Sequence, residues 1–171
     1  PKVKIEISCM SMDEPYENRT LTSLIYDSFN EVDDSTQCII PTVLPIRTFL
    51  EKAFLLNEEY QKKVPRSERM SRHLYDIERL MDTCSDAAIN DAELYKNIIE
   101  HRKKFYHISS VDYESDKREQ IKIWPIGEIE QLFKEDYNAM IESFIYNENP
   151  LTFVQLKGRI LELEAKFRDD V

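Results

Sequence analysis

Lys52, Arg72 and Asp76 are the residues of this 171-residue chain whose types and spacing suit chemistry best. They sit in two stretches about twenty residues apart, Arg47-Thr48-Phe49-Leu50-Glu51-Lys52-Ala53 and Arg72-His73-Leu74-Tyr75-Asp76-Ile77. A lysine ammonium is a compact, strongly hydrated point charge suited to holding a phosphate, and Arg72 is a candidate phosphate contact beside it. Asp76 fits a base, or a metal or nucleotide contact. A further carboxylate, Glu6, stands in Val3-Lys4-Ile5-Glu6-Ile7. A strand can present such an acid to a hard divalent cation, which takes fixed oxygen ligands. Each residue also has an ordinary reading. On the residues alone, a lysine that snorkels to the surface is the commoner outcome for Lys52. Arg72 and Asp76 are spaced for a surface i,i+4 ion pair worth about 0.3–0.5 kcal/mol. Glu6 can be an outward, solvated strand position.

The elements that must position these groups follow from hydrophobic periodicity. Val3, Ile5 and Ile7 alternate with Lys4 and Glu6, which predicts a half-buried strand over Lys2 to Ser8. Residues 12–20 read as loop, Leu21 to Phe29 as a short helix, and Gln37 to Ile40 as a strand ending at Pro41. From Pro45 the period becomes helical. Ile46, Phe49, Leu50, Ala53, Leu56 and Tyr60 share one face, and Lys52 lies roughly 100° from its centre. Glu51 points nearly opposite, to solvent. After Pro65, the residues Met70, Leu74, Ile77, Met81 and Cys84 form a second stripe that Asp76 flanks. A third helix is expected from about Asp91 to Phe105, opened by a capping box of Asn90 and Glu93. Residues 106–122 read as a lid or a wrapping loop. A fourth helix, about Glu128 to Tyr146, turns Ile129, Leu132, Phe133, Met140, Phe144 and Ile145 inward. A fifth, about Phe153 to Phe167, is capped by Thr152 with Gln155. The predicted fold class is α+β, mainly α, with residues 1–44 holding strands and loop and residues 45–171 a helical domain.

Composition narrows the function classes. There are only two glycines, Gly127 and Gly158, so no Gly-rich phosphate loop exists. The three cysteines, Cys9, Cys38 and Cys84, include no CxxC pair. Neither a disulfide framework nor a structural zinc site is indicated, and a reduced, cytoplasmic protein fits best. No apolar run approaches a membrane span. The net charge of −10 argues against broad nucleic-acid binding. Between Tyr60 and Arg72, however, Lys62, Lys63, Arg66, Arg69 and Arg72 face a single acid, Glu68. This basic island suits local attraction for phosphate, or is simply a solvated helix end.

The run from Leu44 through Leu80 resembles the AbiEii/AbiGii-type nucleotidyltransferase toxins of type IV toxin–antitoxin systems, in their C-terminal portion. The resemblance rests on the proline-led helix Pro45-Ile46-Arg47-Thr48-Phe49-Leu50-Glu51-Lys52-Ala53 and the basic helix Ser71-Arg72-His73-Leu74-Tyr75-Asp76-Ile77-Glu78-Arg79-Leu80. Val3-Lys4-Ile5-Glu6-Ile7 looks like the family's strand bearing a further carboxylate. The resemblance implies a polymerase-β-like nucleotidyltransferase sheet, of which residues 1–44 would be a remnant, followed by a helical bundle. It implies Mg2+-dependent transfer of a nucleotide from a nucleoside triphosphate to an acceptor such as tRNA, and neutralisation by a cognate antitoxin. Lys52 would contact the nucleotide phosphates together with Arg72. Asp76 would be the essential acid of the last motif, and Glu6 an acid near the metals.

One departure is large. The family's first motif is Gly-Ser followed by an Asp-x-Asp pair, and this sequence contains neither. Asp33-Asp34 and Asp169-Asp170 are adjacent, and adjacent strand residues point to opposite faces. The start at Pro1 suggests a C-terminal portion of a longer enzyme, inert as it stands because two-metal chemistry needs the missing ligands. Two other readings remain open: a non-catalytic helical interaction module with an acidic outer surface, and an RNA binder using the basic island.

Overall fold

The computed structural model describes Ile5 and residues 15–32, 36–146 and 149–169. The chain divides into two compact units, Pro1–Leu44 and Pro45–Val171. The strand expected over Lys2 to Ser8, and Glu6 with it, lies outside the described residues, apart from Ile5, which is exposed.

In the first unit, β1 (Tyr16–Leu21) pairs antiparallel with β2 (Cys38–Val43), with Tyr16 opposite Val43 and Leu21 opposite Cys38. A short helix, α1 (Leu24–Phe29), comes between them in sequence, capped by the Ser23 hydroxyl, which accepts from Tyr26 N at 2.9 Å. The strand β1 corrects the expectation of a loop over 12–20. Its residues are exposed on nearly every side, so no alternation of apolar and polar positions marks it. Strand β2 also runs past Pro41 to Val43. Both strands of a two-stranded sheet are edges, where a proline is tolerated.

The second unit contains α2 (Pro45–Tyr60), α3 (Ser71–Asn90), α4 (Ala92–Phe105), α5 (Glu128–Phe144) and α6 (Phe153–Asp169). The chain is thus mainly helical with a small sheet. Pro45 opens α2, where its missing N–H costs nothing. Helix α2 is the centre of the unit: Phe49, Leu50, Ala53, Phe54 and Leu56 are fully buried. Leu74, Ile77, Met81 and Cys84 of α3 and Leu156, Ile160, Leu163 and Phe167 of α6 complete the core. The Phe49 ring lies parallel to Phe167 at 6.3 Å, and Phe54 meets Tyr95 edge-on at 4.9 Å. Each buried aromatic or aliphatic side chain contributes about 1.5–3 kcal/mol.

Helix boundaries follow from local hydrogen bonding. Helix α3 continues to Asn90, and Asp91 alone separates it from α4. The Asp91 carboxylate accepts from Leu94 N at 2.9 Å, so Asp91 is the cap, not Asn90 with Glu93. The Thr152–Gln155 box forms as expected, with Gln155 Oε1 accepting from Thr152 N at 2.8 Å. On α5 the buried positions are Phe133 and Tyr137. Leu132 and Phe144, expected inside, are exposed. The i,i+4 pair Phe133–Tyr137 takes the face that packs, and Leu132 sits one position off it.

The connection after α4 wraps the unit. A single 3-10 turn, Tyr113–Asp116, is pinned to α2: Asn57 Nδ2 donates to Asp116 Oδ1 at 2.8 Å, and Lys122 N donates to Asn57 Oδ1 at 3.0 Å. Glu164 of α6 accepts from Ile123 N and Trp124 N at 2.7 and 2.8 Å. Among the described residues, no helix is long and apolar enough to cross a membrane.

Beneath this connection lies a buried ion network. Arg102 of α4 grips Glu58 of α2 through two parallel bonds of 2.6 and 2.7 Å and also donates to Glu51. Glu51 is therefore half-buried against α4 and Arg47 rather than pointing to solvent. Asp116 adjoins the network, and its Oδ2 is buried with no donor. Burial raises the Asp116 carboxyl to about 8; the Asn57 hydrogen bond opposes this and the Glu58 charge adds to it. Folded Asp116 thus keeps a proton that the unfolded chain releases near pH ~4. Its stabilising contribution is full below about pH 4 and is lost as pH rises through about 8. Asp116→Asn imitates the protonated form and is expected to flatten the decline in melting temperature between about pH 5 and 8. Parallel melting curves for the variant and the wild type would mean that Asp116 is ionised in the fold.

Candidate functional site

Lys52 projects from the border of the apolar face of α2, and Asp76 from the border of the α3 stripe. The packing of these helices brings the two into contact: Lys52 Nζ lies 2.7 Å from Asp76 Oδ2. The side chains retain 22% and 40% of their exposure, so the pair is open to a ligand. At that exposure it contributes only about 0–1 kcal/mol to stability. Asp76 is not paired with Arg72 one turn before it, as helix spacing alone suggested. Arg72 is exposed, and its guanidinium makes no hydrogen bond or ion pair among the described residues.

His73 shares this face of α3. Its Nδ1 is buried without a partner. Burial, reinforced by the Lys52 and Arg72 charges and opposed by Asp76, lowers the imidazole to about 4. The ring is therefore neutral at neutral pH. It adds no charge and leaves Lys52 and Arg72 as the positive groups of this face.

The basic island is only partly free. Glu59 on α2 is almost fully buried and takes Lys62 at 2.6 Å and Arg66 at 2.9 Å. Burial pushes the Glu59 carboxyl up, but the Arg66 and Lys62 hydrogen bonds outweigh it and hold the group at about 2. Lys62 and Arg66 are thus both held by Glu59, whose single charge offsets one of their two. Lys63, Arg69 and Arg72 have no hydrogen bond or ion pair through their side chains among the described residues.

The turn into α3 is held from α5. Met70, at the cap position, offers no side-chain hydrogen bond. Asp136 replaces it: its carboxylate accepts from Arg69 N at 2.6 Å and from Ser71 N at 2.9 Å, and also from the Ser71 hydroxyl. A carboxylate there also complements the positive end of the helix dipole. Arg69 sits at φ 57°, a left-handed conformation that costs a non-glycine residue about 1 kcal/mol and persists where surroundings fix it. The clamp sets where Arg69 and Arg72 leave the backbone. Nothing in the sequence signals it, since Asp136 lies 65 residues beyond Ser71.

Between α3 and α5 runs an open cleft of about 530 Å³, which Arg72 and Asp76 both line. The structure therefore gathers Lys52, Asp76 and Arg72 in one place on the helical unit. Glu6 lies outside the described residues.

The mainly helical α+β chain thus places a lysine–aspartate pair beside unpaired guanidinium groups, donors whose charge and geometry are complementary to phosphate oxygens in general. The chain belongs to the AbiEii nucleotidyl transferase toxin family of type IV toxin–antitoxin systems, whose family model matches residues 1–167. No match was found among curated proteins or among solved structures. Membership makes the chain a nucleotidyltransferase-like toxin, with a nucleoside triphosphate as substrate and an antitoxin as partner. It also suggests use of a divalent metal. The donor set described does not fit one: no group of three or more His, Cys, Asp or Glu is placed to hold a metal among the described residues, and Asp76 is engaged by Lys52.

Proposed function

We propose that Lys52 and Arg72 hold the phosphates of a nucleoside triphosphate, with Asp76 as the acid of the same site, for nucleotide transfer to an RNA acceptor such as tRNA. The observation that carries this reading is the Lys52–Asp76 contact beside the unpaired Arg72. Lys52 can exchange one anionic partner, the aspartate, for another, the triphosphate. Asp76 orients the ammonium while the site is empty. Arg72 adds a planar donor pair that matches phosphate oxygens. Mg2+ is the metal expected from the family resemblance, with Glu6 as a carboxylate near it.

The sequence has no Gly-Ser and no Asp-x-Asp, so this chain alone binds nucleotide without transferring it. Incubation with an α-phosphate-labelled triphosphate and RNA is the test. The expected result is no labelled RNA, together with triphosphate binding that Arg72→Ala weakens about tenfold, the scale of one charge-assisted contact. Labelled RNA would overturn the inert reading. Unchanged binding by Arg72→Ala would remove Arg72 from the phosphate site.

A further inference from the structure

The first unit leaves a strand edge open. Leu44 N donates to Pro15 O at 3.0 Å, which fixes the alternation of the β1–β2 ladder. Counted from that bond, Glu17, Arg19 and Leu21 occupy the hydrogen-bonded pairs with Thr42, Ile40 and Cys38. Tyr16, Asn18 and Thr20 therefore turn their N–H and C=O groups away from β2, to the outer edge of β1. Among the described residues no further strand takes these groups. The same alternation turns the nitrogen of Pro41 to the outer edge of β2, where a proline has no N–H to offer. The β2 edge is thus blocked at its centre, while the β1 edge is open along its length.

The open edge is also complementary to itself. Two β1 strands set antiparallel about a two-fold axis at Asn18 bring Tyr16 opposite Thr20 of the second copy, and Asn18 opposite its own equivalent. All of these residues carry outward N–H and C=O groups, so the ladder closes. Glu17 then faces Arg19 of the second copy, and Arg19 faces its Glu17, in the closer, non-hydrogen-bonded pairs. A slip of two residues, the smallest that keeps the bonding groups matched, sets Glu17 against Glu17 or Arg19 against Arg19. Charge therefore selects one register. Within one chain Arg19 Nε donates to Glu17 Oε1 at 2.7 Å, and the two side chains keep 58% and 43% of their exposure, so both are within reach of a second copy. The unit also has reason to gain strands. A two-stranded ribbon is marginal by itself, α1 buries none of its residues, and Tyr16, Ile39 and Val43 are exposed.

We infer that β1 is a homodimerisation edge: two copies of this chain pair β1 to β1 in the register centred on Asn18 and form a four-stranded antiparallel sheet in the order β2–β1–β1–β2. Val43 and Tyr16 of one copy continue in a row with Thr20 and Ile39 of the other, which joins the exposed apolar positions of the two hairpins. The contact is isologous and closes after two copies, because the edges left outside are the β2 edges that carry Pro41.

Sedimentation equilibrium of the 171-residue protein over a concentration series tests this, with a melting curve for each variant. The wild type is expected to rise from the monomer mass of 20.4 kDa toward twice that mass. Asn18→Pro removes an outward N–H and leaves the bonded pairs with β2 in place, so it is expected to abolish the dimer. Arg19→Glu and Glu17→Arg each set like charges opposite one another at two pairs. Each is expected to weaken self-association by about tenfold or more. An equimolar mixture of these two variants restores both opposite-charge pairs and is expected to dimerise as the wild type does. The mixture also separates a lost interface from a damaged hairpin, since two damaged hairpins do not rescue each other. A wild type that stays monomeric throughout overturns the inference and leaves the β1 edge to a strand of another protein. A dimer that survives Asn18→Pro overturns it, as does a mixture that associates no better than either charge variant alone.

Discussion

Arg102→Ala is expected to destabilise the helical unit by about 3–5 kcal/mol, which lowers the melting temperature by roughly 10 °C. Arg102 is buried and holds Glu58 through two bonds and Glu51 through a third. Without it, Glu58 remains a buried carboxylate beside Asp116, which already has an unsatisfied buried oxygen. The cost is that of an uncompensated charge, not the loss of a favourable pair. Arg102→Lys rescues only part of it, because an ammonium cannot span both oxygens of Glu58 and also reach Glu51. A thermal melt of each variant at pH 7 checks this. A fall of less than about 1 kcal/mol for Arg102→Ala would mean that water enters the network.

Asp76→Ala and Lys52→Ala are expected to change triphosphate binding in opposite directions. In the absence of metal, Asp76 competes with phosphate for Lys52 and adds a repelling charge to the same cleft. Removing it frees the ammonium, so affinity should rise, by up to about tenfold at low salt. Removing Lys52 takes away the cation and leaves Asp76 bare, so affinity should fall. A surface ion pair without function predicts no change from either substitution. A structural pair predicts equal losses through unfolding, yet at this exposure each variant should melt within about 1 kcal/mol of wild type. Opposite signs at equal stability are the signature of phosphate contact at Lys52. Added salt should compress both effects, since the groups are partly exposed.

The parts of the fold that the sequence made legible are those with a sustained period. The stripes of α2 and α3 recur every three to four residues because one face of each helix is buried, and Lys52 and Asp76 could be placed at their borders. That the two touch was not legible, because it depends on how one helix packs on the other. Spacing on α3 alone suggested Arg72 as the partner of Asp76. The same limit hid Glu51, which α4 covers from the side opposite the apolar stripe. It also hid Glu59, which pairs with both Lys62 and Arg66 and offsets one of their charges in what reads as a free basic island. Strand β1 was missed because both its faces are open and its composition is that of a loop. Asp136 gave no signal, since a cap supplied from another helix leaves no local pattern. The exposed Phe144 looked like a core residue by type, and its exposure is what leaves an apolar wall open in the α3–α5 cleft.

The most direct measurement is the Kd of a nucleoside triphosphate for the wild-type chain and for Lys52→Ala, at one ionic strength, with a melting curve for each. A phosphate-holding Lys52 predicts binding by the wild type and a loss of about tenfold or more in the variant, with melting temperatures that coincide. Equal dissociation constants, or no binding by the wild type, would contradict the assignment of this helical unit as the nucleotide-holding part of the toxin.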